Sequence, residues 1–189
     1  MAQEFTVSLQ AIIDECKLEV IHTPQDPAKI FISNIDVNRP GLQLAGFYEY
    51  FDKGRIQIIG KAETAYLEQC GAEIRAQRIK KFFSEQPAAV VVSRGMDIMP
   101  EMRDLSKELN VPLLRSQEST STFTSKLVAY LSLQLAPRIT RHGVLIEVYG
   151  EGMLILGESG VGKSETAIEL VKRGHRLVCL LYTSPSPRD

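Results

Sequence analysis

The run Gly157-Glu158-Ser159-Gly160-Val161-Gly162-Lys163-Ser164 has the residue types and spacing of a complete phosphate-binding loop. Gly157 and Gly162 lack Cβ atoms, so the backbone there turns tightly and points successive N–H groups into an anion-sized hollow. Lys163 is placed to reach the β- and γ-phosphates of a nucleotide, and the Ser164 hydroxyl is suited to coordinate Mg²⁺. Glu158, Ser159, Gly160 and Val161 complete the nucleotide cradle. The chemistry implied is the gripping of a polyphosphate tail. The rival reading is a plain glycine-rich turn, and the neighbouring elements decide between them.

Such a loop works between a strand and a helix. Met153-Leu154-Ile155-Leu156 is a short apolar run ahead of it. From Lys163 to Arg173, Ala167, Leu170 and Val171 recur at helical spacing, and Gly174 follows as a stop. Lys172 and Arg173 stand in the last turn, where positive charge suits the helix dipole, and the opposite end faces the phosphates. Upstream, His142 to Tyr149 and Gly152 to Leu156 read as a hairpin turning at Gly150-Glu151. That register sets Tyr149 opposite Gly152 and His142 opposite about Ser159, which brings an imidazole to the loop. A histidine with a pKa near ~6.5 donates to a phosphate oxygen or moves a proton at neutral pH. A hydrogen-bonded structural histidine is the competing reading.

The preceding residues predict an α/β domain over 1–135 with a mainly parallel sheet. Leu9, Ile12, Ile13 and Cys16 form a helical stripe behind Thr6 or Ser8 as cap. Phe31-Ile32 and Ile56 to Ile59 read as strands on either side of a turn at Asn38-Arg39-Pro40-Gly41. A helix is expected over Ala62 to Phe83, a buried strand over Ala88 to Val92, and a helix over Pro100 to Leu109 with Asp97 as cap. A strand over Val111 to Leu114 completes a strand–helix–strand crossover, and a last helix spans Thr120 to Leu135, with Phe123, Leu127, Tyr130 and Leu131 on one face. Ala136-Pro137-Arg138 is the expected junction. Arg75, Arg78, Lys80 and Lys81 read as a solvated basic face, His22 as a surface loop residue, His175 as a helix-terminal cap, and Ser93-Arg94-Gly95 as a turn.

Composition narrows the classes. The chain has 189 residues and a net charge of −1 with mixed signs, which argues against nucleic acid or an anionic membrane surface as partner. No apolar run approaches the ~20 residues that span a bilayer. Cys16, Cys70 and Cys179 match no metal pattern and read as reduced thiols, hence a cytoplasmic setting.

These residues resemble the bacterial HPr kinase/phosphorylase family. The resemblance rests on His142-Gly143-Val144-Leu145-Ile146-Glu147-Val148-Tyr149-Gly150, the loop, Ser164-Glu165-Thr166-Ala167, and Arg173-Gly174-His175-Arg176-Leu177-Val178. It extends to Arg39-Pro40-Gly41-Leu42-Gln43-Leu44-Ala45-Gly46, Arg55 to Gly60, Pro112-Leu113-Leu114-Arg115 and Leu135-Ala136-Pro137-Arg138. It implies an N-terminal α/β domain followed by a phosphate-loop kinase domain like that of phosphoenolpyruvate carboxykinase. It implies an enzyme that phosphorylates a serine of the phosphocarrier protein HPr from ATP or pyrophosphate with Mg²⁺. The same site would remove that phosphate by phosphorolysis, in control of carbon metabolism, within a homohexamer. His142 and Lys163 match family active-site positions, Gly157 to Ser164 the ATP site, and Ser164 a Mg²⁺ ligand.

The match stops at Val178, where the family continues Ala-Asp-Asp and this chain has Cys179-Leu180-Leu181. The resemblance makes the second aspartate the general base, and Leu181 stands in its place. Residues 136–178 therefore read as the start of a kinase domain and 179–189 as an unrelated or disordered tail. A hairpin plus one helix is too little to bury Val144, Ile146, Leu154 and Leu156, read as one apolar face, so an inactive fragment is expected. Two other functions fit the loop: a nucleotide-binding regulatory module without turnover, and another phosphate-loop small-molecule kinase or carboxykinase.

Overall fold

A computed structural model of the protein describes residues 5–136, 143–158 and 160–181. The chain divides into two units, Met1–Ala136 and Pro137–Asp189. In the first, β1 (Val7–Ser8) leads into α1 (Leu9–Cys16), whose first turn is capped by Ser8 Oγ accepting the Ala11 N–H at 3.3 Å. The four stripe residues Leu9, Ile12, Ile13 and Cys16 are all buried. Then come β2 (Glu19–His22), β3 (Phe31–Ile32), β4 (Val37–Asn38), α2 (Gly41–Ala45), β5 (Ile56–Ile59), α3 (Lys61–Gln69) and α4 (Ala72–Ser84). The unit closes with β6 (Ala89–Val92), α5 (Pro100–Glu108), β7 (Leu113–Arg115) and α6 (Thr120–Gln134).

A five-stranded sheet runs β2-β7-β6-β5-β4; its neighbours from β4 to β7 are parallel and β2 joins the β7 edge antiparallel. β1 and β3 form a separate two-stranded pair. Every residue of β5 and β6 is buried, as a strand covered on both faces requires. The strand period of two splits them between two cores. Ile56, Ile58, Ala89 and Val91 pack with α1 and α6, while Ile59, Val90 and Val92 pack with Leu44, Leu67, Ile79, Phe82, Phe83 and Met102 of α2 to α5. Gln57 is fully buried and satisfied: its amide donates to Arg55 O at 3.0 Å and its carbonyl accepts from Asn38 Nδ2 at 2.8 Å.

Several expectations are corrected. The helix expected over Ala62 to Phe83 is two helices, broken where Gly71 takes φ 70°, a left-handed conformation that costs glycine nothing. Asp97 does not cap α5; Met99 precedes it and Pro100 opens it, so one N–H that would need a cap is absent. The turn expected at Asn38 to Gly41 is the end of β4 and the start of α2, and the strand expected over Val111 to Leu114 sits at Leu113–Arg115. His22 is not a loop residue: it pairs with Leu113, its Nε2 is buried without a partner, and burial lowers its pKa with Lys107 adding to the effect. The basic face of α4 is solvated at Lys80 and Lys81, which are exposed, while Arg75 and Arg78 are half-buried. Arg75 pairs with Glu101 and Lys80 with Glu108 at 3.2 Å, Arg78 lies 4.9 Å over the Tyr66 ring, and Lys81 4.8 Å over Tyr48.

The second unit holds β8 (Gly143–Val148), β9 (Glu151–Leu156), α7 (Lys163–Lys172) and β10 (Arg176–Leu181). Its three strands are antiparallel in the order β10-β8-β9, and α7 lies against β8 and β10. Val144, Ile146 and Ala167 are buried there. β10 is a strand the sequence reading lacks, and it takes in Cys179, Leu180 and Leu181, the first residues of the expected tail. Residues 182–189 lie outside the described residues.

Candidate functional site

The hairpin positions the loop, and its register differs from expectation. The turn is Tyr149-Gly150, with φ 54° and 85°, the doubly positive φ of a type I′ turn rather than II′. Val148 consequently faces Glu151, and Gly152 faces Glu147 instead of Tyr149. The ladder ends with Gly143 opposite Leu156, the residue just before the loop. The expected His142–Ser159 juxtaposition lies outside the described residues, whose last pair toward the loop is Gly143 with Leu156. The alternation of the strands separates the expected apolar face. Val144 and Ile146 are buried and share a face with Ile155 and Met153, the last 48% exposed, whereas Leu154 and Leu156, paired with Leu145 and Gly143, lie on the other face at 45% and 52% exposure.

The loop itself is tightly drawn. A Cβ at Gly157 would stand 2.8 Å from Val161 Cγ2, so any larger residue there would have to displace the Val161 side chain. Gly160 and Gly162 have φ 88° and 87°, and Gly162 leads directly into α7. Lys163 Nζ donates to Gly157 O at 2.7 Å and to Glu158 O, folding the ammonium over the start of the loop. Ser164 is exposed at the first turn of α7, and Glu165 lies close to Gly162. One feature went unread in the sequence: Thr166 Oγ1 donates to Gly162 O at 2.9 Å, and Thr166 N–H donates to the same oxygen at 2.9 Å. Its signal was a threonine four residues after the last loop glycine, the helical return distance.

At the far end of α7, Gly174 takes φ 93°, and its N–H and that of His175 donate to Val171 O and Leu170 O at 3.0 and 3.1 Å. His175 thus caps the helix through its main chain. Its ring lies edge-on to Tyr149, 4.9 Å between centroids.

The chemistry of the donors fits a nucleotide with a magnesium ion. Lys163 would supply a point charge, the first turn of α7 has free N–H groups suited to an anion, and the exposed Ser164 hydroxyl is a hard oxygen donor of the kind Mg²⁺ accepts alongside phosphate oxygens. Among the described residues no group of three or more His, Cys, Asp or Glu is gathered that would hold a metal by protein ligands alone. No helix among them is long and apolar enough to cross a membrane.

Two family models match the chain: HPr Serine kinase N terminus over residues 7–131 and HPr Serine kinase C-terminal domain over residues 133–179. The HPr kinase/phosphorylase of Clostridium perfringens is 51% identical over 172 residues, covering 91% of this chain and 55% of that protein. That of Clostridium acetobutylicum is 51% identical over 172 residues and is covered to 56%, and that of Caldanaerobacter subterraneus 50% over 172 residues, also to 56%. The chain therefore spans about half the length of the curated relatives it matches. The crystal structure of the CBS and DRTGG domains of the regulatory region of Clostridium perfringens pyrophosphatase, complexed with diadenosine tetraphosphate, aligns with 70% of this chain and 53% of that chain at 16% identity and a TM-score of 0.49.

Proposed function

Because the chain belongs to the HPr serine kinase family, we propose that the whole protein phosphorylates a serine of the phosphocarrier protein HPr. ATP or pyrophosphate would be the donor, and the phosphate would be removed by phosphorolysis at the same site, in cytoplasmic control of carbon metabolism by a homohexamer. The observation that carries this reading is the loop: three glycines, two at positive φ, between an antiparallel hairpin and a helix that begins at Lys163. Phosphoryl transfer asks a protein chiefly for positioning and charge neutralisation. In this reading Lys163 exchanges the carbonyls of Gly157 and Glu158 for phosphate oxygens, and the loop amides from Gly157 to Ser164 hold the remaining charge. Mg²⁺, when bound through Ser164, would neutralise charge on the phosphates. His142 is assigned to the same site; it directly precedes Gly143, whose partner Leu156 directly precedes Gly157.

The chain as it stands is proposed to bind nucleotide without transferring phosphate. Leu181 pairs with Gly143, and Gly143 with Leu156, so position 181 shares a row of the sheet with the start of the loop. A carboxylate borne there would be well placed to take the serine proton; leucine has no group that accepts one. This row is what favours the second reading, a nucleotide-binding module without turnover, for these 189 residues. The test is transfer of labelled phosphate from ATP to HPr by three proteins: the full-length protein, the 189-residue chain, and the full-length protein with leucine at position 181. The reading expects transfer by the first only. Failure of the first overturns the function, and transfer by either of the others overturns the inactivity.

A further inference from the structure

The carboxyl ends of the parallel strands in the N-terminal unit gather basic residues that the phosphate loop does not use. Open α/β sheets take ligands in the crevice outside these ends. Three adjacent strands each run into a basic residue: Arg39 after β4, Lys61 after β5 with Gly60 between, and Arg94 after β6 with Ser93 between. Ile59 pairs with Val92, and Ser93 N–H donates to Ile59 O at 2.9 Å, so the last two of these ends are level.

The floor between them is built. Glu63, whose side chain is 6% exposed, accepts the Gly60 N–H at 2.9 Å and Arg39 Nη2 at 2.8 Å on one oxygen. Arg39 is thereby held in place while its side chain stays 51% exposed, and its other N–H groups have no partner among the described residues. Ser93 Oγ donates to Ile59 O at 3.1 Å and lies 2.7 Å from Thr120 Oγ1. A Cβ on Gly60 would stand 2.7 Å from Thr120 Oγ1 and 3.2 Å from Arg39 Nη2, which brings strand ends, threonine and guanidinium together at one point. The Arg94 loop is pinned through main-chain bonds of 2.8 Å from Arg94 N–H to Glu118 O and from Gly95 N–H to Ser116 O. Lys61 and Arg94 are exposed and have no acidic partner among the described residues. Glu63 is matched by Arg39, and Glu118 has Lys126 3.6 Å from its Oε1 while its Oε2 is buried without a hydrogen-bond partner among the described residues.

We propose that this end of the N-terminal sheet binds a phosphate-bearing small molecule, held by Arg39, Lys61 and Arg94 above the floor of Gly60, Ser93 and Thr120. A pre-set guanidinium and two unmatched cations suit a dianion of tetrahedral shape, which the planar fork of arginine grips through paired donors. The site is independent of the phosphate loop and of the activity assigned to it.

The experiment is an amide NMR titration of the 189-residue chain with inorganic phosphate, against sodium chloride at matched ionic strength. The amides of Gly60, Lys61, Arg94 and Gly95 report this site, and those of Gly160 and Gly162 report the loop separately. Saturable shifts in the first group, with Kd of about 1 mM or tighter, are expected. Arg94→Gln, an exposed position, should weaken them about tenfold and leave the loop shifts unchanged. Arg39→Gln alone would strand a buried carboxylate, so the double variant Arg39→Gln/Glu63→Gln is used, and the same loss is expected. Shifts that grow linearly, that chloride reproduces, or that persist in both variants would overturn the site.

Discussion

The two units carry sheets that are finished to different degrees. In the first, β5 and β6 are buried on both faces because α1 and α6 cover one side and α2 to α5 the other. In the second, α7 lies against β8 and β10, and the edge strand β9 keeps Met153 on one face and Leu154 and Leu156 on the other about half exposed. A βα repeat supplies a covering helix with nearly every strand, so such a unit completes its own core. An antiparallel hairpin brings strands without helices, and its second face needs partners from elsewhere. The chemistry-bearing loop belongs to the unit whose core is less complete.

Truncation at matched sites gives the largest effect. Phe82→Ala in the closed core should cost about 3–5 kcal/mol, whereas Leu154→Ala should stay within about 0.5 kcal/mol, both read by urea unfolding. Comparable losses would mean the two sheets are equally closed. Next, Lys163→Met should weaken binding of Mg-ATP to the full-length protein by about 2 kcal/mol, measured by calorimetry, with the unfolding midpoint unchanged. A shifted midpoint would show that the lysine's bonds to Gly157 O and Glu158 O support the fold of the second unit. Gly71→Val should cost about 1–2 kcal/mol, since φ 70° disfavours a branched side chain; no loss would mean α3 and α4 merge without penalty. The smallest effect is a slope with pH. Burial pushes the Cys16 thiol from 9.0 up to about 11, so the folded chain keeps a proton that the unfolded chain releases. Stability should hold below pH 9 and fall as pH rises toward 11, and Cys16→Ala should flatten that fall.

Local patterns were legible wherever they are self-contained. The stripe of α1, its Ser8 cap, the buried run of β6 and the glycine pattern of the loop each depend on residues within a turn or a strand of one another. What escaped depends on partners far along the chain. The partners of the α4 cations stayed hidden because Glu101 and Glu108, which engage two of them, lie on another helix. His22 read as a loop because its pairing with Leu113 spans most of the unit. The hairpin turn was misplaced by one residue because tyrosine is a poor sign of positive φ, yet Tyr149 adopts 54° there. That single step moved every cross-strand partner by two residues, which leaves each side chain on its own face; Val144 and Ile146 are parted from Leu154 and Leu156 by the alternation of the strands alone.

By itself the sequence determined a glycine-rich loop at Gly157 to Ser164 between a strand and a helix, because a loop of this kind is made by consecutive residues and their own backbone. It also determined the alternation of strands and helices in the first unit. Only the tertiary structure decided that Leu181, Gly143 and Leu156 share one row, that Leu154 lies on the face opposite Val144 and Ile146, and, in the first unit, that Arg39, Gly60 and Thr120 meet. Register and crossover are properties of pairs distant in the chain, and no local preference encodes them.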